Sequence, residues 1–312
     1  MSTPSSPHAV RGLALIALAA ISWGTTGAVT TILVARAGAT PLVIGAVRMA
    51  IAGVLLIAAA GLLGSARGAA PAPADRWRCV LAGVCNAGFQ AAYFTAVTLT
   101  GIAMAALIAI CSAPILIAAL AAVLLGERLT ARLGVSLALG VGGTTLLIVG
   151  PRATGTAPPL AAGVAFALLA GLAYALYVVV AKSAVARMAP LPVTAWTFAT
   201  AAVVMAPALL QDGAARQIEL GWPGLLYLGT VTTAGAYAIY TVGLRHVPAG
   251  AAGVAALLEP LTATILGIIV FGERLGVAGW IGAVLLLAAL VVLTSARAAR
   301  PVVAGARGAD AG

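Results

Sequence analysis

Glu259 is the side chain best placed to act on a small molecule, because it is the one acid near the middle of an apolar stretch and Pro260 follows it directly. A carboxylate at the centre of a bilayer costs about 2.5–3.5 kcal/mol on insertion scales, so it should face protein or a water-filled cavity. There it can hold a substrate ammonium or carry a proton. A structural reading stands beside this one. Pro260 lacks a backbone donor and breaks the helix, so a carboxylate at the break can cap the amides of the next helical segment.

Asn86, Gln90 and Tyr93 follow one another at i, i+4 and i+7, which puts three hydrogen-bonding side chains on one helical face. Exposing that face to lipid would be costly, so it should look inward, as cavity lining or as polar glue between helices. Aromatics make up only 5% of the chain, so their placement carries information. Trp23, Tyr174, Tyr177, Tyr237 and Tyr240 fall within apolar stretches and could stack on a substrate side chain. Trp77, Trp222 and Trp280 lie near the ends of such stretches and read as interfacial belt residues.

Pro114 and Pro260 kink the stretches that hold them, and either could serve as a hinge. Glu127 and Glu273 sit beside Arg128 and Arg274 at stretch ends, where local pairing or helix capping is expected. Arg48 lies inside an apolar stretch and can either snorkel outward or pair with an internal carboxylate. Cys79, Cys85 and Cys111 lack metal-ligand spacing, and His8 and His246 are far apart with no Asp partner. No Walker-type phosphate loop is present. These features imply neither metal nor cofactor, and Glu259 has no evident Asp, His or Lys partner for catalysis, so an enzyme is not expected.

The elements that must position these residues follow from composition. The chain is 63% hydrophobic and 8% charged, far below the roughly 25% charge of a soluble domain. Ten apolar stretches reach the roughly 20 residues that a hydrocarbon core requires: about 11–34, 41–63, 78–98, 101–125, 131–149, 159–185, 192–210, 222–243, 249–271 and 276–295. They run continuously in Ala, Leu and Gly rather than alternating, so they are predicted as helices and not barrel strands. The first is too long for a signal peptide. The expected fold is all-α integral membrane, with the lipid bilayer as its solvent.

The chain also repeats itself. Gly-Glu-Arg-Leu occurs at 126–129 and 272–275, and Pro114 corresponds to Pro260 at the same offset of 146 residues. Aligning 105–129 with 251–275 gives nine identities in 25 positions. Two repeats are predicted, 11–150 and 151–296, with a mobile segment 1–10 and a disordered cytoplasmic tail 297–312. Five spans per repeat is an odd number, so the second repeat must enter the membrane inverted. That is the architecture of secondary transporters, which bind substrate near the midplane between their halves. With a cytoplasmic N-terminus, twelve basic residues fall on the cytoplasmic side and Arg36, Arg152, Arg216 and Arg274 on the other. By the positive-inside rule both termini are cytoplasmic. The net charge of +10 is therefore topology and not a nucleic-acid site.

Trp23-Gly24, Glu259-Pro260 and the paired Gly-Glu-Arg-Leu blocks, within ten spans, resemble the EamA family of the drug/metabolite transporter superfamily over about residues 11–295. The resemblance implies a basket in which spans one to four and six to nine surround a cavity, with spans five and ten peripheral. It favours Trp23, Tyr93 and Tyr240 as cavity aromatics. Among relatives, the chain looks most like bacterial exporters of aromatic and other neutral amino acids. The implied function is export across the inner membrane by alternating access, with a drug or other metabolite as the alternative cargo. The expected substrate-binding set is Trp23, Asn86, Gln90, Tyr93, Tyr174, Tyr237, Tyr240 and Glu259. A homodimer is left open.

Overall fold

The computed structural model describes residues 7–63, 73–149, 161–272, 274 and 276–295. Ten of its helices are long and apolar enough to cross a membrane. They are α1 (Pro7–Ala37), α2 (Pro41–Leu62), α3 (Ala74–Thr100), α4 (Met104–Leu125), α5 (Ala131–Ile148), α6 (Ala161–Val185), α7 (Pro190–Leu210), α8 (Ala214–His246), α9 (Ala249–Val270) and α10 (Val277–Thr294). The protein is a multi-pass, all-α membrane protein built from two inverted five-helix repeats. Its outward side chains, such as Val54, Leu62, Val123, Val203 and Ile269, are exposed and apolar, as a lipid-facing surface requires.

Two boundaries differ from expectation. The first helix begins at Pro7 rather than 11, so residues 7–10 are helical and not a mobile leader. Proline suits the first turn, where its missing N–H has no intrahelical partner in any case. The eighth span runs over Ala214–His246, well past the expected 222–243, because polar residues at both ends still fit a helix that projects beyond the hydrocarbon. Glu273, residues 2–6 and the tail from Arg297 lie outside the described residues.

The strongest contacts join one repeat to the other. α1 packs on α8 and α9, α6 packs on α3 and α4, and α2·α7, α4·α9 and α5·α10 pair across the halves. Exchanging each span with its repeat partner turns this set into itself, as an inverted duplication with a pseudo-two-fold axis requires. Glycine permits the closest crossings. A Cβ at Gly143 would lie 2.7 Å from the Gly282 carbonyl, and one at Gly282 would lie 2.5 Å from the Gly143 carbonyl. Gly12 and Gly243 meet in the same reciprocal way between α1 and α8. Without a hydrophobic drive in lipid, such backbone approach supplies the packing.

Three spans are interrupted. α1 comprises Pro7–Gly24 and Thr26–Ala37, and at the join the Thr25 hydroxyl donates to the Ser22 carbonyl at 2.7 Å. α8 changes from α to a wide π turn over Leu228–Gly235 and back again. α9 breaks between Ala249–Ala256 and Leu258–Phe271, just before Glu259-Pro260. Pro260 cannot donate to the carbonyl four residues back, which accounts for the break. Pro114 sits inside a helix that runs unbroken from Ile102 to Leu125, so the two equivalent prolines have different local consequences.

The repeated Gly-Glu-Arg-Leu block now has a structural reason. Gly126 and Gly272 each end a helix in the left-handed region, both at φ 66°, and their N–H groups return to Ala121 and Gly267 carbonyls. Only glycine adopts that turn without strain.

Candidate substrate site

A cavity of about 890 Å³ lies between the repeats, within the range of small-molecule sites. α1 contributes its second half, α2 its first, α3 its last turns and α4 its earlier turns. An even number of spans puts the first and last described helix ends on one face. The cavity therefore opens toward the opposite face. On the terminus side the bundle is sealed: Ile16, Val178, Leu244 and Ala249 are all fully buried.

A polar clasp sits at that sealed end. Glu127 accepts hydrogen bonds from the Ala249 N–H at 2.7 Å and the Gly250 N–H at 3.3 Å. It thereby caps the start of α9, across the boundary between repeats. Lys182, at the end of α6, donates to the carbonyls of Leu244 at 2.8 Å and Val247 at 2.7 Å. Cation on C-terminal carbonyls and carboxylate on N-terminal amides each complement the helix dipole. Glu127 is thus a capping residue, as expected, although its partner amides lie 122 positions away in the chain.

Aromatic rings line the cavity from α3 round to α1. Centroid distances are 5.9 Å for Phe89–Tyr93, 5.3 Å for Phe89–Tyr174 and 5.8 Å for Tyr174–Tyr177. The series continues at 5.9 Å for Tyr177–Tyr237 and 4.7 Å for Trp23–Tyr237. These tilted and stacked geometries are the favoured ones for aromatic pairs.

Of the side chains anticipated at the site, Trp23, Gln90, Tyr93, Tyr174, Tyr237 and Glu259 border this cavity, together with Pro114. Asn86 and Tyr240 do not. Asn86 lies one turn below Gln90, beneath the cavity floor, fully buried with neither end of its amide hydrogen-bonded. Tyr240 lies one turn beyond Tyr237, behind Trp23 at a centroid distance of 5.1 Å. The i, i+4, i+7 face of α3 does turn inward, but the cavity ends before its first member.

Glu259 is not the cap that its position beside Pro260 suggested. Among the described residues no hydrogen bond or ion pair reaches its carboxylate. Yet it is not sealed away, since it lines the cavity. Arg48 does not snorkel. It is 7% exposed, and its Nε donates to the Thr233 hydroxyl at 3.0 Å. The Thr233 hydroxyl in turn donates to the Leu228 carbonyl at 2.7 Å, within the π turn of α8.

Arg48, Phe89, Phe94 and the threonines Thr26, Thr30 and Thr31 complete the lining. The periodicity of α3 could have flagged Phe89, which flanks the polar face. Arg48 carried the same signal as Glu259, a full charge inside a span, but its depth and direction depend on α8.

The comparisons with known proteins agree with this architecture. The model of the EamA-like transporter family matches residues 10–149 and again 161–295. The uncharacterized transporter YwfM of Bacillus subtilis (strain 168) is 35% identical over 289 residues, covering 90% of this chain and 93% of its own. An uncharacterized transporter of Archaeoglobus fulgidus is 30% identical over 114 residues, covering 36% of this chain and 41% of its own. One protein crystal structure superposes with a TM-score of 0.75 at 23% identity, over 90% of this chain and 95% of that one, and bears on the fold alone. Matched in both repeats and aligned nearly end to end with a transporter, the chain belongs to the EamA-like transporter family, within the drug/metabolite transporters.

Proposed function

We propose that the protein exports small neutral metabolites, foremost aromatic and other neutral amino acids, across the bacterial inner membrane by alternating access. The observation that supports this most is the 890 Å³ cavity between the inverted repeats, open at one end and closed at the other by the Glu127 and Lys182 clasp. Such a cavity can be loaded from one side only until the halves rearrange, which is what carrier transport demands. Its aromatic wall suits a planar or aliphatic side chain, and its few polar groups suit the backbone of an amino acid. With cytoplasmic termini, as the basic residues favour, the arrangement corresponds to the outward-open state. Pro114 and the break before Pro260 are the proposed hinges, on α4 and α9.

Counterflow in proteoliposomes tests the reading. Labelled tryptophan and threonine should exchange against internal amino acid, whereas a lipophilic cation should not. Flux of the cation without amino-acid flux would replace this reading with that of a drug exporter.

A further inference from the structure

The cavity holds one cation and one anion that do not pair. Arg48 on α2 and Glu259 on α9 both line it and lie within Coulombic reach of each other. Among the described residues, however, no ion pair joins them. Opposite charges inside a membrane protein ordinarily neutralise one another directly. Holding them apart across open space leaves each with unmet capacity.

The structure spends a specific device on keeping Arg48 in place. Guanidinium can only donate and the Leu228 carbonyl can only accept, so the Thr233 hydroxyl proton points to Leu228 and its lone pair to Arg48 Nε. This relay exists because α8 widens into a π turn there, a feature that often marks functional sites. Gly229 in the same turn lets α2 approach, since a Cβ there would lie 2.6 Å from Ile51. With Nε engaged, the two terminal nitrogens take no other hydrogen bond and remain accessible. The Glu259 carboxylate is in the same condition.

We infer that Arg48 and Glu259 form a two-pole clamp for a zwitterion, Arg48 receiving the substrate carboxylate and Glu259 its ammonium, with Thr233 positioning Arg48. This rests on the amino-acid reading above and sharpens it, because it makes both charges of the substrate obligatory. A carboxylate bound to guanidinium makes charge-assisted, bidentate hydrogen bonds. The aromatic wall from Phe89 to Trp23 then receives the side chain.

The test measures binding of four probes to purified full-length protein: L-tryptophan, tryptamine (no carboxylate), indole-3-propionate (no ammonium) and glycine betaine. In the wild type, tryptophan should bind about 10–100-fold more tightly than either singly charged analogue, the range expected for one charged hydrogen bond. Arg48→Gln should weaken tryptophan by a similar factor and leave tryptamine within about 3-fold. Glu259→Gln should weaken tryptophan while sparing indole-3-propionate.

Should Arg48→Gln fail to fold, Thr233→Val keeps the guanidinium and removes only its anchor. It should weaken tryptophan about 3–10-fold without affecting tryptamine. Equal losses for all probes, or no loss, would overturn the clamp while leaving amino-acid transport standing. Binding of betaine but not tryptophan would keep the clamp and overturn the amino-acid reading. Binding of neither zwitterion would overturn both.

Discussion

Trp23 and Tyr240 are neighbours with different prospects. Trp23 borders the cavity and its indole N–H has no partner, so a ligand acceptor can take that hydrogen bond. The Tyr240 hydroxyl is also unpartnered but is sealed behind Trp23. Trp23→Ala should therefore raise the KM for tryptophan by about tenfold or more, whereas Tyr240→Phe should transport like the wild type. Substrate-dependence curves in proteoliposomes check both, and a transport defect in Tyr240→Phe would show that the cavity reaches deeper. Glu259 carries a second prediction. Arg48, Tyr93, Tyr174 and Tyr237 share the carboxylate's surroundings, and none forms a hydrogen bond to it. Glu259→Gln should cut transport at least tenfold and flatten its dependence on pH. A variant with full flux and an unchanged pH profile would remove both the ammonium-binding and the proton-carrying roles.

At the level of elements, the ends of α4, α6 and α8 meet the start of α9 in the Glu127 and Lys182 clasp. Glu127→Ala leaves the Ala249 and Gly250 amides uncapped, at a cost of about 0.5–2 kcal/mol. Because the clasp closes the terminus-side face only while the cavity is open on the other, the loss should also favour the opposite state. Two measurements follow: a melting temperature lower by a few degrees, and faster maleimide labelling of a cysteine at Ala252, which is fully buried here, in a background without Cys79, Cys85 and Cys111. A lower melting temperature with unchanged labelling would make the clasp structural alone.

Seen whole, the molecule is two interleaved halves rather than two adjacent ones, since the principal contacts cross between repeats. A single backbone crossing can therefore affect the entire assembly. At the α5·α10 crossing, a side chain at Gly282 would press on the Gly143 carbonyl and the Leu147 N–H. Gly282→Val should destabilise the protein by about 1–3 kcal/mol, the usual range for overpacking, and broaden its elution in size-exclusion chromatography. α5 and α10 contribute nothing to the cavity lining, so surviving protein should keep its substrate preference. Sidedness is testable at the same scale. Cysteines at Thr30 and Thr31, which border the cavity, should label from the face opposite the one that reaches the termini.

Much of this protein is legible before any folding is considered. Ten spans, their helical type and the inversion follow from stretch length, continuous apolarity and an odd-numbered repeat, because a bilayer leaves the backbone few options. Gly126, Gly272 and Glu259 were marked in the same way, by a repeated turn signal and by the cost of a buried charge. Periodicity within α3 indicated which face turns inward but not where the cavity stops, so Asn86 and Gln90 looked equivalent until α1 and α8 closed beneath them. Nor could the residues near Pro260 reveal that Glu259 is left uncapped. Arg48 is the clearest case: its anchor is Thr233, 185 positions away on a π turn. Local chemistry and solvent select the elements, but which charges meet, and which are held apart, depends on contacts between segments that only the packed bundle brings together.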